Sequence, residues 1–181
     1  MDAPIIDPTA LVEAGAFVGE RTRVWHYAHI RAGAMIGPDA TIGRNVYVDA
    51  DVVIGARTKI QNNVSVYRGV QLADEVFVGP SAVFTNDKRP RAVSPDWVAT
   101  PTLVRRGASI GANATVVCGV ELAPWSMVAA GAVVTRSTRE HQLVAGNPAR
   151  HHGWVCRCGA VVSREAAVPD PAALARCNHG G

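Results

Sequence analysis

A branched aliphatic returns every sixth place along this chain, and the phase holds for most of its length. From Ile6 it runs through Val12, Val18, Val24, Ile30, Ile36, Ile42, Val48, Ile54, Ile60, Val66, Leu72 and Val78. Four places after each stands a small residue: Ala10, Ala16, Thr22, Ala28, Ala34, Ala40, Val46, Val52, Thr58, Val64, Val70, Val76 and Ala82. The series reaches Phe84, breaks, and resumes at Val104, Ile110, Val116, Leu122, Val128 and Val134. A period of six matches neither the 3.6 of an amphipathic helix nor the 2 of a two-faced strand. It requires a chain that makes one short strand and one bend per repeat, which is the signature of a hexapeptide β-helix.

Within each hexad the aliphatic points inward on every pass, and the small residue fills a corner too tight for a larger side chain. Between them lie turn formers, as in Gly37-Pro38-Asp39, Gly43-Arg44-Asn45 and Gln61-Asn62-Asn63, which suit tight bends and positive φ. Stacked passes bury a continuous aliphatic column and pair their backbones along it. The 20 hexads, at the three per coil of the hexapeptide β-helices this pattern resembles, make about 6.7 coils and a column on the order of 32 Å tall at about 4.8 Å per coil.

At 181 residues the chain makes one domain, or one domain with a small appendage. The expected division is a β-helix over 1–136, with a loop excursion at 85–103, and a C-terminal cap and tail over 137–181. No run of 18 apolar residues occurs, so no membrane span is expected. Met1-Asp2-Ala3-Pro4 lacks a basic region followed by an apolar stretch, so no signal peptide is expected and the cytoplasm is the expected compartment. The net charge of +3 is spread around turns, which argues against a nucleic-acid partner. Two local basic clusters, Lys88-Arg89-Pro90-Arg91 and Arg105-Arg106, suit a small phosphorylated ligand as well as they suit solvated loops. Four cysteines are too few and too unevenly placed for a secreted disulfide scaffold. Cys156, Cys158, Cys177 and His179 form a Cys-x-Cys and Cys-x-His set that can bind zinc, although the spacing is irregular; a tail without metal is the other reading.

Residues 85–103 hold three prolines and no hexad. A long loop on a rigid scaffold is where binding residues concentrate, and this one contains Asn86, Asp87, three cations and Trp97. After Thr135 the pattern fades into a segment expected to cover the open end of the column. A short helix is expected over Ser137–Gln142, a strand or packing arm at His152–Val155, and a second helix over Ser163–Leu174.

Five stretches have a more particular character: Val24-Trp25-His26-Tyr27-Ala28-His29-Ile30, Lys59 to Tyr67, Phe77 to Asn86, Arg105 to Thr115, and Val144-Ala145-Gly146-Asn147-Pro148-Ala149-Arg150. Together they resemble the bacterial nucleotide-sugar N-acetyltransferases of the hexapeptide-repeat class over roughly residues 5 to 160. The nearest members acetylate the 3-amino group of UDP-2-acetamido-3-amino-2,3-dideoxy-glucuronate; a sister group acts on dTDP-3-amino-3,6-dideoxyhexoses. Asp87 and Asp96-Trp97 depart from the pattern and leave the sugar open. The resemblance implies an all-β, left-handed parallel β-helix of three hexads per coil. It also implies acetyl-CoA as donor, a nucleotide-linked amino sugar as acceptor, and a homotrimer with sites between neighbouring prisms.

The chemistry then asks mainly for positioning, because a thioester is already activated; the developing oxyanion needs one or two N–H donors. Asn86 is the leading catalytic candidate: its side-chain oxygen can accept an N–H of the sugar amine and aim the nitrogen lone pair. An amide is no base, and the resemblance implies that the proton leaves with the CoA thiolate. Local loop capping is the other reading of Asn86. His26 is the rival general base, or a surface turn residue; stacking at 18-residue steps sets Arg44, Asn62 and Pro80 above it. Asn62, Tyr67, Arg68 and Arg91 are candidates for nucleotide and sugar. For CoA, backbone groups around Gly111, Ala112 and Ala130 are expected at the pantetheine, and Arg105, Arg106 or Arg136 at its phosphates. Three readings compete with the N-acetyltransferase: transfer to another small amine or a hydroxyl, a non-catalytic β-helical trimer, and a zinc-dependent carbonic-anhydrase-like protein. A hydroxyl calls for a true base, and no histidine lies in the loop. The anhydrase needs three convergent histidines, whereas the hexads hold only His26 and His29.

Overall fold

The computed structural model describes residues 2–93 and 97–175. Twenty two- or three-residue strands, from Ile5–Ile6 to Val133–Val134, wind into a three-faced parallel β-helix. Each strand pairs with the one a full coil later: Ile6 with Val24, Val12 with Ile30, Val18 with Ile36. The beat residues from Val24 to Val134 are buried, 7 % exposed or less. Burial at about 25 cal/mol per Å² of apolar surface makes this column the main source of stability. Two threonines at the small position keep their hydroxyls satisfied inside: Thr22 Oγ1 donates to the Gly37 carbonyl at 2.8 Å and accepts from Ala40 N at 3.0 Å, and Thr58 bonds Ala73 and Val76 likewise.

The bends are regular. At the first corner, between the first and second faces, Tyr27, Asn45, Asn63, Ser81 and Asn113 all adopt positive φ. The third corner puts Arg21, Asp39, Arg57, Glu75, Gly107 and Trp125 in the same conformation. Gly107 has a second reason to be glycine, since a Cβ there would stand 2.3 Å from the Trp125 ring.

That third corner also carries an alternating charge ladder. Arg21 grips Asp39 at 2.7 and 2.8 Å, Arg57 reaches Glu75 at 2.9 Å, and Arg106 binds the other oxygen of Glu75 at 2.9 Å. Hydrogen bonds from Arg106 and then Arg57 lower the Glu75 carboxyl from 4.5 to about 2. A carboxylate depressed in the folded state stabilises above its unfolded pKa, and the contribution fades as pH falls through the folded value. Glu75→Gln is therefore expected to lower Tm at pH 7, with the gap from wild type narrowing between pH 5 and pH 2 in thermal melts. A gap independent of pH sinks the assignment.

The column is interrupted once, between Val83–Phe84 and Thr102–Val104. Register survives the interruption: Leu72 pairs with Val104 and Phe84 with Val116. The excursion spans 85–101, two residues shorter than the hexad count suggests, because Thr102 and Leu103 already pair with Val70 and Gln71. Its base is closed by Thr100 N donating to the Asn86 carbonyl at 2.8 Å.

The end of the column differs from expectation. Residues 137–142 are not helical. Ser137 Oγ and Thr138 Oγ1 accept the edge N–H groups of Glu121 and Ala123 at 2.9 and 2.8 Å, so the segment runs extended along the last strand of the third face. Gln142–Ala145 then pairs parallel with Met127–Val128 and antiparallel with Arg150–Val155, which pairs with Val161–Ser163. Trp154 is fully buried there, donates its indole N–H to the Glu165 carbonyl at 2.9 Å, and lies under the Arg139 guanidinium at 4.7 Å. Of the second expected helix, Ser163–Leu174, only the end is helical, within Pro171–Ala175; prolines at 169 and 171 disfavour helix in the residues before them. No helix among the described residues is long and apolar enough to cross a membrane.

Candidate functional site

The second corner, between the second and third faces, gathers the polar side chains that point to chemistry. Asn86 stands there, half-buried, at the base of the excursion and one coil above Arg68. Its Nδ2 donates to the Arg68 carbonyl at 3.3 Å. That bond ties the amide nitrogen, and among the described residues Oδ1 has no hydrogen-bond partner, so it is available to accept from an incoming amine.

Below Asn86 runs a network at 18-residue spacing. Asp49 accepts from Tyr47 OH at 3.1 Å, Arg31 Nη1 at 3.2 Å, Ala50 N at 2.8 Å and Arg68 N at 3.1 Å. Burial raises the Asp49 carboxyl, but the N–H donors of Ala50 and Arg68, with the Tyr47 hydroxyl and the Arg31 charge, together hold it below the usual range. Burial is likewise the first cause that raises the Tyr47 phenol. His29 bonds Glu13 at 2.7 Å, and the rings of His29, Tyr47 and Tyr67 follow one another up the face at 5.5 and 6.1 Å. The Arg68 guanidinium is paired with Asp51. Of these residues only Tyr67 and Arg68 were singled out from the sequence. The others were legible in principle, because positions 13, 31, 49, 67 and 85 form one column once the 18-residue coil is taken seriously.

The remaining candidates lie elsewhere. His26 is on the first corner, three coils and one hexad below Asn86, or about 16 Å along the axis. Its Nε2 is 3.2 Å from Asp7, and its ring stacks on Trp25 at 6.3 Å. Asn62 stands two coils above His26 and spends its Oδ1 on Arg44 N at 2.9 Å. Ala112 and Ala130 continue that corner upward; a Cβ on Gly111 would come 2.4 Å from Ala130 N, so the wall is smooth by necessity. Arg105 and Arg106 are held bidentately by Glu121 and Glu75, and a phosphate at either must compete with a carboxylate. Arg136 is exposed, and among the described residues no ion pair engages it or the loop cations Lys88, Arg89 and Arg91. Cys156 Sγ and Cys158 Sγ approach to 2.9 Å in the turn before Val161–Ser163; Cys177 and His179 lie outside the described residues, as does Asp96.

Two family descriptions match the chain: bacterial transferase hexapeptide (six repeats) over residues 4–50, and hexapeptide repeat of succinyl-transferase over residues 33–68 and 106–136. Together they cover more than half of it and leave out the excursion. The dTDP-3-amino-3,6-dideoxy-alpha-D-galactopyranose 3-N-acetyltransferase of Aneurinibacillus thermoaerophilus is 51% identical over 57 residues, 32% of this chain and 30% of that protein. The chain spans less than a third of the length of the curated relatives it matches. Among solved structures, PerB of Caulobacter crescentus in complex with CoA and GDP-perosamine superposes with a TM-score of 0.53 at 26% identity, over 84% of this chain and 58% of that one. A hexapeptide-repeat acetyltransferase of Vibrio cholerae complexed with acetyl coenzyme A gives 0.58 at 25% identity, over 64% and 67%.

Proposed function

The chain belongs to the hexapeptide-repeat transferases, and from that premise we propose that it moves an acetyl group from acetyl-CoA to the amine of a nucleotide-linked amino sugar. The observation that carries this reading is Asn86, an amide with its nitrogen tied to Arg68 and its oxygen without a partner among the described residues, at the base of the excursion from the column. Two similarities support it: CoA and an amino sugar nucleotide are bound in the Caulobacter structure, and a 3-N-acetyltransferase is the Aneurinibacillus relative.

The neutral amine, hydrogen-bonded to Asn86 Oδ1, attacks the thioester carbonyl carbon. The C–N bond forms, the C–S bond breaks, CoA leaves as thiolate, and the nitrogen's surplus proton goes to that thiolate. No protein base is required, which agrees with the excursion's lack of histidine. Positioning supplies most of the rate. The acceptor position is C-3 in this reading, and the sugar nucleotide lies along the second face, with Tyr67, Arg68, Arg91 and Asn62 within its surroundings. CoA follows the smooth first corner by Gly111, Ala112 and Ala130. In one protomer that corner and the Asn86 corner are separated by a whole face, so the complete site forms between copies, in a homotrimer. The reaction is assigned to the cytoplasm, where acetyl-CoA is available.

The test is a panel of UDP-, dTDP- and GDP-linked 3-amino and 4-amino sugars with acetyl-CoA, read by free thiol release and by the mass of the N-acetylated product. At least one 3-amino sugar is expected to turn over well above the hydrolysis control. Thiol release with none of them removes the reading, and a preference for 4-amino sugars removes its C-3 component.

A further inference from the structure

The second corner follows a rule that Asn86 breaks. At this corner a side-chain oxygen ordinarily takes the N–H of the corner residue. Glu13 Oε2 accepts from Ala32 N at 2.9 Å, Asp49 accepts from Ala50 N at 2.8 Å and Arg68 N at 3.1 Å, and Thr85 Oγ1 accepts from Cys118 N at 3.0 Å. The acceptor sits at the position just before the corner, usually one coil below. For Asn86 that position belongs to Tyr67, whose side chain places a ring where Glu13, Asp49 and Thr85 place an oxygen. Among the described residues no oxygen accepts the Asn86 N–H. Among the described residues the other corner N–H groups so left are those of Ala14 and Arg136, both exposed, in the first and last coils of the column, whereas Asn86 is half-buried within it.

An N–H left unpaired at a half-buried residue, where the neighbouring coils pair theirs, is free to meet a ligand. We infer that the Asn86 main-chain N–H is the oxyanion donor, taking the thioester carbonyl oxygen as the sugar amine on Asn86 Oδ1 attacks. This rests on the acetyl-transfer reading above and adds the residue that stabilises its charge. One residue then holds both reacting partners: the side-chain oxygen receives an amine N–H, and the main-chain N–H meets the oxygen on which negative charge develops as the C–N bond forms. A fixed donor aimed at developing charge is worth about 10²–10³ in kcat.

Two substitutions of nearly equal shape separate this assignment from any loss of the Tyr67 ring. Tyr67→Val and Tyr67→Thr both remove the ring, but only threonine offers an oxygen to the Asn86 N–H, as Thr85 does to Cys118. The threonine variant is expected to fall at least tenfold below the valine variant in kcat, with the two KM values for acetyl-CoA within about twofold and Tm no lower. Equal kcat values in the two variants, with wild type active, overturn the assignment and leave the reaction standing. A wild type inactive across the sugar panel removes the reaction and this assignment with it. A measurement on the unmutated protein is independent of variant folding. The Asn86 amide proton is expected to move downfield when the CoA methyl-ketone analogue, with a methylene in place of sulfur, binds; an unmoved signal in the bound complex overturns the assignment as well.

Discussion

An alanine at position 86 is expected to lower kcat at least tenfold, about 1.4 kcal/mol or more in the barrier, while leaving Tm and the KM for acetyl-CoA close to wild type. In the proposed mechanism Oδ1 orients the amine in the approach to the transition state, so its loss belongs in kcat, not in donor binding. The fold should be indifferent, since among the described residues the side-chain amide makes one bond, at 3.3 Å to Arg68. His26→Asn is the contrasting control: its ring leans on Trp25 and Asp7 at another corner, and its kcat is expected to stay within about threefold of wild type. Steady-state kinetics on the two variants decide between them, and a total loss at His26 with an active Asn86→Ala reverses the roles.

The second large effect is structural. Phe84 is the only aromatic on the beat, and it is 1 % exposed. It closes the last strand before the excursion, pairs with Val116, and stands two residues from Asn86. Phe84→Ala is expected to cost about 3–5 kcal/mol, because the rigid neighbouring coils cannot collapse into the space. Phe84→Leu should cost less than about half of that, and Val83→Ala, whose side chain points outward and is 47 % exposed, should stay within about 0.5 kcal/mol. Urea unfolding measures all three, and equal losses at positions 83 and 84 would falsify the inward placement of Phe84.

The fold was legible to an unusual degree because each residue at the beat has one destination. Ile30, Ile42, Ile60 and Val78 went inside as the period required. The period could not show which coil is terminal. Ile6 follows the same beat yet is 39 % exposed, because its coil has a neighbour on one side only. The helix expected over Ser137–Gln142 did not form, because Ser137 and Thr138 are engaged by the column. Their hydroxyls instead satisfy strand-edge donors, a role set by the neighbouring strand and not by local sequence. Asn86 was legible as a position, since it follows the break. The ties of Arg105 to Glu121 and of Arg106 to Glu75 were not, because separations of 16 and 31 residues depend on corner geometry and on the length of the excursion. The unpaired N–H at Asn86 was hidden for a different reason: it depends on what Tyr67 fails to offer, and a hexad pattern records only what faces inward.

The closed base of the excursion makes it a replaceable cassette. Strand pairing passes beneath it without a slip, from Val70 to Thr102 and from Phe84 to Val116, and a single main-chain bond between Asn86 and Thr100 fastens its two ends. Residues 87–99 can therefore lengthen, shorten or change sequence without disturbing a coil, since closing a longer loop adds only about 0.6 kcal/mol per doubling. Under the proposed reaction, acceptor choice can change through the cassette while the column and the asparagine at its base keep their places.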